Sequence, residues 1–366
     1  MNELLKIFLS MALTSVILIP LVWILQRIFN RYLSKGKIYY SWMIVFFFLT
    51  IPFAYFFFRF AKDSVFMWRN KTEFDGVTSI VVDQSGVVLQ HDFKTVFWMT
   101  VLDYLWVAWL VIFLLTFIYR IASYRNFKKY VFSGARRVDD LEQLDLLAET
   151  MEELNIKRPV ELMINPLISS PIFLGLKKNV IVIPDETFLN DELHYIFKHE
   201  LVHCKRKDMY YVWMVQFFTC VYWFNPLMYL MNKRIQMDRE LACDEAVLAT
   251  LSKSKYIGYG DTLLSSLAKS GNYKESYVAV SLHENTKALK ERLICIANYE
   301  TPSKKHNILF LIFIIVLCSV GVLFSAFQAD MFTLEKKKSI TIERKNSTSR
   351  KLLFFVRGVF YYVIDF

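Results

Sequence analysis

The chain has 366 residues, of which 55% are hydrophobic and 17% aromatic, and it carries a formal net charge of +10. That apolar content exceeds what soluble domains usually carry and excludes an ordinary water-soluble globule. The five cysteines, an odd number with no paired spacing, exclude a disulfide framework and a CxxC metal pattern.

Crossing the roughly 30 Å hydrocarbon core takes about 20 apolar residues in helical form. Four stretches meet or approach that length: about 5 to 28, 39 to 60, 96 to 119 and 308 to 327. The first is long for a signal-peptide apolar region and no small-residue cleavage site follows it, so it is read as retained. The connector after the first span carries Arg27, Arg31, Lys35 and Lys37 with no acid, and the one after the third carries Arg120, Arg125, Lys128 and Lys129. Basic connectors stay inside, so both are expected in the cytoplasm, with the N-terminus and residues 61–95 outside. The tail after the fourth span is also basic (Lys336, Lys337, Lys338, Arg344, Lys345) yet falls outside in this topology; the earlier connectors take precedence because the first spans usually set orientation. Positive charge gathered beside spans suits an anionic inner leaflet, which makes the lipid bilayer the expected partner and direct nucleic-acid binding unexpected.

The chain therefore divides into three N-terminal spans over 1–119 with an outer loop at 61–95, a cytoplasmic block over 120–306, a fourth span at 307–328 and a short basic and apolar tail at 329–366. In the outer loop, "SIVVDQSGVVLQ" reads as a hairpin turning at Asp83 to Gly86. The cytoplasmic block opens with an amphipathic helix expected at about 139 to 154, followed by Pro-rich and β-branched segments that read as short strands ending at Pro184. Asn190 is placed to cap a helix from Asp191 to about Lys207, with acids in its first turn. The apolar stretch 209–224 is short for a span and is expected to dip into the inner leaflet or pack on the spans, a short fifth span being the alternative.

"KHELVHCKRKD", residues 198 to 208, holds His199 and His203 one helical turn apart on one face, a spacing that lets two neutral imidazoles bind one Zn²⁺. Glu200 lies about 100° round the helix, on the flank of such a metal, where it can take a proton from an activated water. A catalytic zinc needs a third protein ligand, and the best candidate lies in "QMDRELACDEAVL", residues 236 to 248. There Glu240 and Asp244 form a second pair one turn apart; one can bind zinc while the other holds a ligand histidine by its remaining N–H. An exposed acidic helix face with no metal is the competing reading of this segment.

"HELVHCKRKD", then "WFNPL" at 223 to 227, then "DRELACDEAVL", with "SSPIFLGLKKNVIVIPDE" upstream, resemble the ordered motifs of the BlaR/MecR family of integral-membrane zinc metallopeptidases. The resemblance covers about residues 1 to 330 and is most specific from about 160 to 250. It implies a multi-pass α-helical protein of the bacterial cytoplasmic membrane, about four transmembrane helices carrying a cytoplasmic α+β gluzincin-like metallopeptidase domain. It implies zinc held by His199, His203 and Glu240, Glu200 as general base and Asp244 behind a ligand histidine. By the same carry-over, Lys178, Asn179, Val180, Ile181, Val182, Ile183 and Pro184 would be the edge strand that receives an extended substrate. Family function would be signal transduction in an antibiotic response, by cleavage of a cytoplasmic repressor of the BlaI/MecI type, of the chain itself, or both, and it leaves room for a homodimer. About 39 residues follow the fourth span, without an S-x-x-K or K-T-G pattern, so direct acylation by a β-lactam is not expected and a penicillin-binding sensor domain is not expected in this sequence. Two alternatives stand beside this: a housekeeping membrane zinc protease of HtpX or CAAX type, and a non-enzymatic receptor or scaffold whose metal site is structural.

Overall fold

The computed structural model describes residues 3–30, 32–51, 93–176, 178–270, 279–300 and 307–327; the expected outer hairpin, the far half of the second expected span and the tail at 329–366 lie outside them. The chain separates into two compact units, one of residues 1–18, 47–105 and 316–366, the other of residues 19–46 and 106–315. Among the described residues, three helices are long and apolar enough to cross a membrane: Ser10–Phe29, Tyr104–Phe132 and Asn307–Phe327. The chain is a membrane-associated protein. The first of these helices belongs to α1 (Glu3–Phe29). The second expected span begins as two short helices, α2 (Lys35–Ser41) and α3 (Met43–Thr50), which part at Trp42.

Helix α4 (Phe93–Phe132) has 40 residues. At 1.5 Å per residue that is about 60 Å, twice the hydrocarbon thickness, so its last turns extend beyond a bilayer. They lead into β1 (Arg136–Arg137) and then α5 (Leu141–Glu153), whose N-terminus is capped by Asp140 accepting from the Glu142 N–H at 3.0 Å. Strands β2 (Val160–Asn165), β3 (Ile172–Leu174) and β4 (Asn179–Pro184) complete a mixed sheet of order β1-β2-β4-β3. β4 runs parallel to β2 and antiparallel to β3, with Ile181 opposite both Leu162 and Phe173.

This corrects the expectation that Lys178 to Pro184 form a substrate-receiving edge. Lys178 precedes the strand, Asn179, Val180, Ile181, Val182, Ile183 and Pro184 all pair with β2, and Val180, Ile181 and Val182 pair with β3 on the other side as well. The physical reason was present in "NVIVIP": an unbroken β-branched run without polar alternation suits a strand buried on both faces. Ile181 and Ile183 enter one core with Leu193, Phe197 and Leu201, while Val180 and Val182 enter a second with Val131 and Ile168. The edge beside β4 is β3.

Helix α6 (Asn190–Arg206) follows. It begins one residue before the expected start, with Leu189 as its cap position and the Glu192 carboxylate accepting the Leu189 N–H at 3.3 Å. Asn190 instead donates to Glu142 at 2.5 Å. The helix ends at Lys207, held in the left-handed region at φ 57°, and the reversal starts α7 (Asp208–Val221) at once. The expectation that 209–224 packs on the spans holds within the second unit: Phe217 meets Phe113 and Phe117 of α4 edge-on, each at 5.8 Å, and Trp109 Nε1 donates to the Val221 carbonyl at 2.9 Å. "WFNPL" is a helix start, since Asn225 accepts the Leu227 N–H and Pro226 occupies the first turn of α8 (Pro226–Leu248). Helices α9 (Tyr256–Ser270) and α10 (Ala279–Ala297) then pack on each other and against α6 and α8 respectively.

Helix α2 lies on α8. Trp42, fully buried, donates its indole N–H to Asp238 at 2.9 Å, and the Gly36 N–H donates to Glu245 at 2.8 Å. In the first unit, Gly321 of α11 (Asn307–Phe327) sits against the Phe48 ring, so that a Cβ there would fall 2.4 Å from it; only glycine permits this approach.

Candidate metal centre

Helices α6 and α8 meet with three donor atoms converging. His199 Nε2 and His203 Nε2 are 3.3 Å apart, and Glu240 Oε2 lies 3.4 Å from the first and 3.8 Å from the second. Three donors each about 2.0–2.1 Å from one tetrahedral ion would stand about 3.3–3.4 Å apart, so the spacing and the chemistry of the set fit zinc.

The far sides of both imidazoles are held. His203 Nδ1–H donates to Asp208 Oδ2 at 2.7 Å, and the left-handed Lys207 is what turns Asp208 back towards it. The Tyr259 O–H donates to Asp244 Oδ1 at 2.6 Å, so its oxygen is left to accept from His199 Nδ1–H at 2.9 Å. Each Nδ1 thus carries the proton and each Nε2 lone pair is free to face the site. Asp244 stands 3.4 Å behind His199 Nδ1 and is gripped at both oxygens by Arg292, at 2.7 and 2.8 Å.

Electrostatics reinforce the arrangement. Burial alone would push the Asp244 carboxyl up, but the Arg292 guanidinium outweighs it and holds the group well below the usual carboxylate range. Burial and the Asp244 charge push the Tyr259 phenol well above its ordinary value, keeping it a donor. Glu240 is likewise held low against its burial, first by Arg239, which donates to Oε1 at 2.8 and 3.0 Å, while Oε2 faces the histidines and stands 3.7 Å from Arg292 Nη1.

In front of the donors lies a cavity of about 340 Å³ lined by Glu200, by Phe173 and its β3 neighbours, by Tyr124 and Phe127 of α4, and by Met209. Of the residues singled out in the sequence, His199, His203 and Glu240 come together, Glu200 lines the same cavity, and Asp244 stands behind His199. The β4 residues are not on its wall; β3 takes their place. Sequence reasoning missed Asp208, Tyr259, Arg239, Arg292 and Cys243. Cys243 groups with both histidines within 4.8 Å, although its S–H points to the His199 carbonyl at 3.3 Å. Two of these carried a local signal: Asp208 closes the "HCKRKD" run, and Cys243 is one turn from Glu240. Tyr259 and Arg292 carried none, being 60 residues from His199 and 48 from Asp244.

Fold and site together define a class: a membrane-associated chain with an H-E-x-x-H helix set against a second, acidic helix whose Glu240 carboxylate lies beside both histidines. Residues 6–296 match the family described as BlaR1 peptidase M56, and the chain belongs to that family. Among curated relatives, it is 32% identical over 204 residues to "Regulatory protein BlaR1" of Bacillus licheniformis, covering 54% of this chain and 33% of that protein. It is 26% identical over 330 residues to "Methicillin resistance mecR1 protein" of Staphylococcus aureus, covering 86% of this chain and 55% of the relative. The chain spans about half or less of the length of the curated relatives it matches.

Proposed function

We propose that the chain is a zinc-dependent endopeptidase of the bacterial cytoplasmic membrane, acting in signal transduction. The observation that carries this is the convergence of His199 Nε2, His203 Nε2 and Glu240 Oε2 at 3.3 to 3.8 Å beside a cavity lined by Glu200. In this reading His199, His203 and Glu240 hold Zn²⁺, which when bound polarises the scissile carbonyl and acidifies water. Glu200 takes the proton of the attacking water and delivers it to the leaving amine. Asp208 and Tyr259 keep the two imidazoles in the tautomer that a metal requires, and Asp244 acts on His199 through Tyr259.

Substrate enters in extended form along β3, the edge strand on the cavity wall, where backbone hydrogen bonds fix the scissile amide irrespective of side chains. The apolar wall of Tyr124, Phe127, Phe173 and Met209 suits an apolar side chain next to the cut. The block at 120–306 faces the cytoplasm, as the basic connectors at 27–37 and 120–129 favour. Relatives named as regulatory and methicillin-resistance proteins support a cytoplasmic repressor of the BlaI/MecI type as substrate, with self-cleavage compatible with the same site.

The test is Glu200→Gln in the full chain. It should keep its metal and lose cleavage of a BlaI/MecI-type repressor supplied with it by several orders of magnitude; undiminished proteolysis would sink the mechanism. Cys243 supports one competing reading, a closed structural site with four protein ligands. X-ray absorption at the zinc edge separates the two, because a sulfur ligand at about 2.3 Å marks the closed site.

A further inference from the structure

Asp244 is the hub behind His199. Its side chain is 1% exposed, and three elements meet on it: α8, which carries it, α9 through Tyr259, and α10 through Arg292. A carboxylate so buried is stable as an anion only with a charge partner, and a guanidinium gripping both oxygens also fixes the plane in which they lie. That plane decides where the Tyr259 O–H points, and therefore where its oxygen meets His199 Nδ1–H. A tilt there moves Nε2, on the opposite side of the ring, away from Glu240 Oε2 and His203 Nε2. Arg292 belongs to α10, the helix that precedes the apolar helix Asn307–Phe327 in the chain. The same helix holds α8 at a second point, Glu291 pairing with Arg234 at 3.1 Å.

We propose that Arg292 is a positioning residue for the metal: by fixing the Asp244 carboxylate it orients Tyr259 and His199, so that metal retention depends on docking of α10 against α8. The inference rests on the metal reading proposed above and extends it to regulation, since any displacement of the helix that leads to Asn307–Phe327 loosens His199 before it touches the cavity.

The experiment uses the full chain in detergent, with Co²⁺ alone as probe and its visible absorption as readout of affinity and coordination geometry. Arg292→Ala and Tyr259→Phe should each weaken Co²⁺ binding about 10- to 100-fold and alter the band shape, the range seen when groups behind a ligand histidine are removed. Arg292→Lys, which keeps charge but loses the two-point grip, should fall between these and the intact chain. Glu291→Gln loosens the same helix at its second hold on α8 while leaving the grip on Asp244 in place, and should weaken Co²⁺ binding in the same direction but by less than Arg292→Ala. Should Arg292→Ala fail to fold, the pair Asp244→Asn with Arg292→Gln leaves no unpaired buried charge and should show the same weakening. Binding within about twofold of the intact chain, by a folded Arg292→Ala or by that pair, overturns the proposal. An intact chain that takes up no Co²⁺ overturns the metal reading itself, an outcome distinct from the first.

Discussion

At the scale of single residues, the left-handed turn at Lys207 brings Asp208 back onto His203. A lysine at φ 57° is about 1 kcal/mol less comfortable than in the right-handed region, and it is kept because Asp208 must turn back to His203. Asp208→Asn should therefore weaken metal retention about 10- to 100-fold with helix content unaltered, as measured by competition with a chelator; unchanged retention would remove Asp208 from the site. A second residue-scale contact lies on the other side of α6, where Lys198, 4% exposed, meets Glu153 at 2.6 Å. The hydrogen bond from Lys198 holds the Glu153 carboxyl below its ordinary value, against the opposing effect of burial. A carboxyl lowered in the folded state contributes stability at pH above its unfolded value, about 4.3, and loses it as pH falls through the folded value. Glu153→Gln should thus be less stable than the intact chain at pH 7, by about 0.5–1 kcal/mol once solvent screening is counted, with the gap closing in thermal scans as pH falls through the lowered folded value. Glu153 is half exposed, which keeps the cost below that of a fully buried pair.

At the scale of elements, α8 is the member on which the others converge. It bears Glu240 and Asp244 towards α6, and Asp238 and Glu245 towards α2. Gly36, in the connector between the first two expected spans, is thereby tied to the helix that carries Glu240, the carboxylate proposed as third metal donor. Trp42→Phe keeps the ring's bulk but strips Asp238 of its indole donor, and should destabilise the fold by about 1–3 kcal/mol in denaturant titration. A loss of stability with no change in metal affinity would show that this tie is purely structural. The sheet shows a similar division of labour. β4 is the rigid centre, buried on both faces, and this frees β3 to be the strand whose outer side faces the cavity.

At the scale of the whole molecule, the side of the membrane that holds the site decides which substrates can reach it. The basic connectors favour the cytoplasm. A cysteine introduced at the exposed Glu149 of α5 should resist a membrane-impermeant thiol reagent in intact cells and react once the cells are opened. Labelling in intact cells would reverse the orientation and with it the cytoplasmic substrate.

Local patterns were enough for much of this. Long apolar runs disclosed the helices able to cross a membrane, since length and composition alone decide what a bilayer accepts. The one-turn spacings of His199 with His203 and of Glu240 with Asp244 are properties of a single helix, and so were legible before any fold was known. Tertiary structure alone decided what those faces meet. Whether "NVIVIP" is an edge or a centre depends on what pairs beside it, and β3 became the edge only because β2 occupies the other flank of β4. Tyr259 and Arg292 reach the centre from helices far along the chain, where no spacing rule extends, and Asp208 reaches it because a left-handed residue reverses the chain. Short-range periodicity sets which residues share a face; packing between distant segments sets which faces become a site.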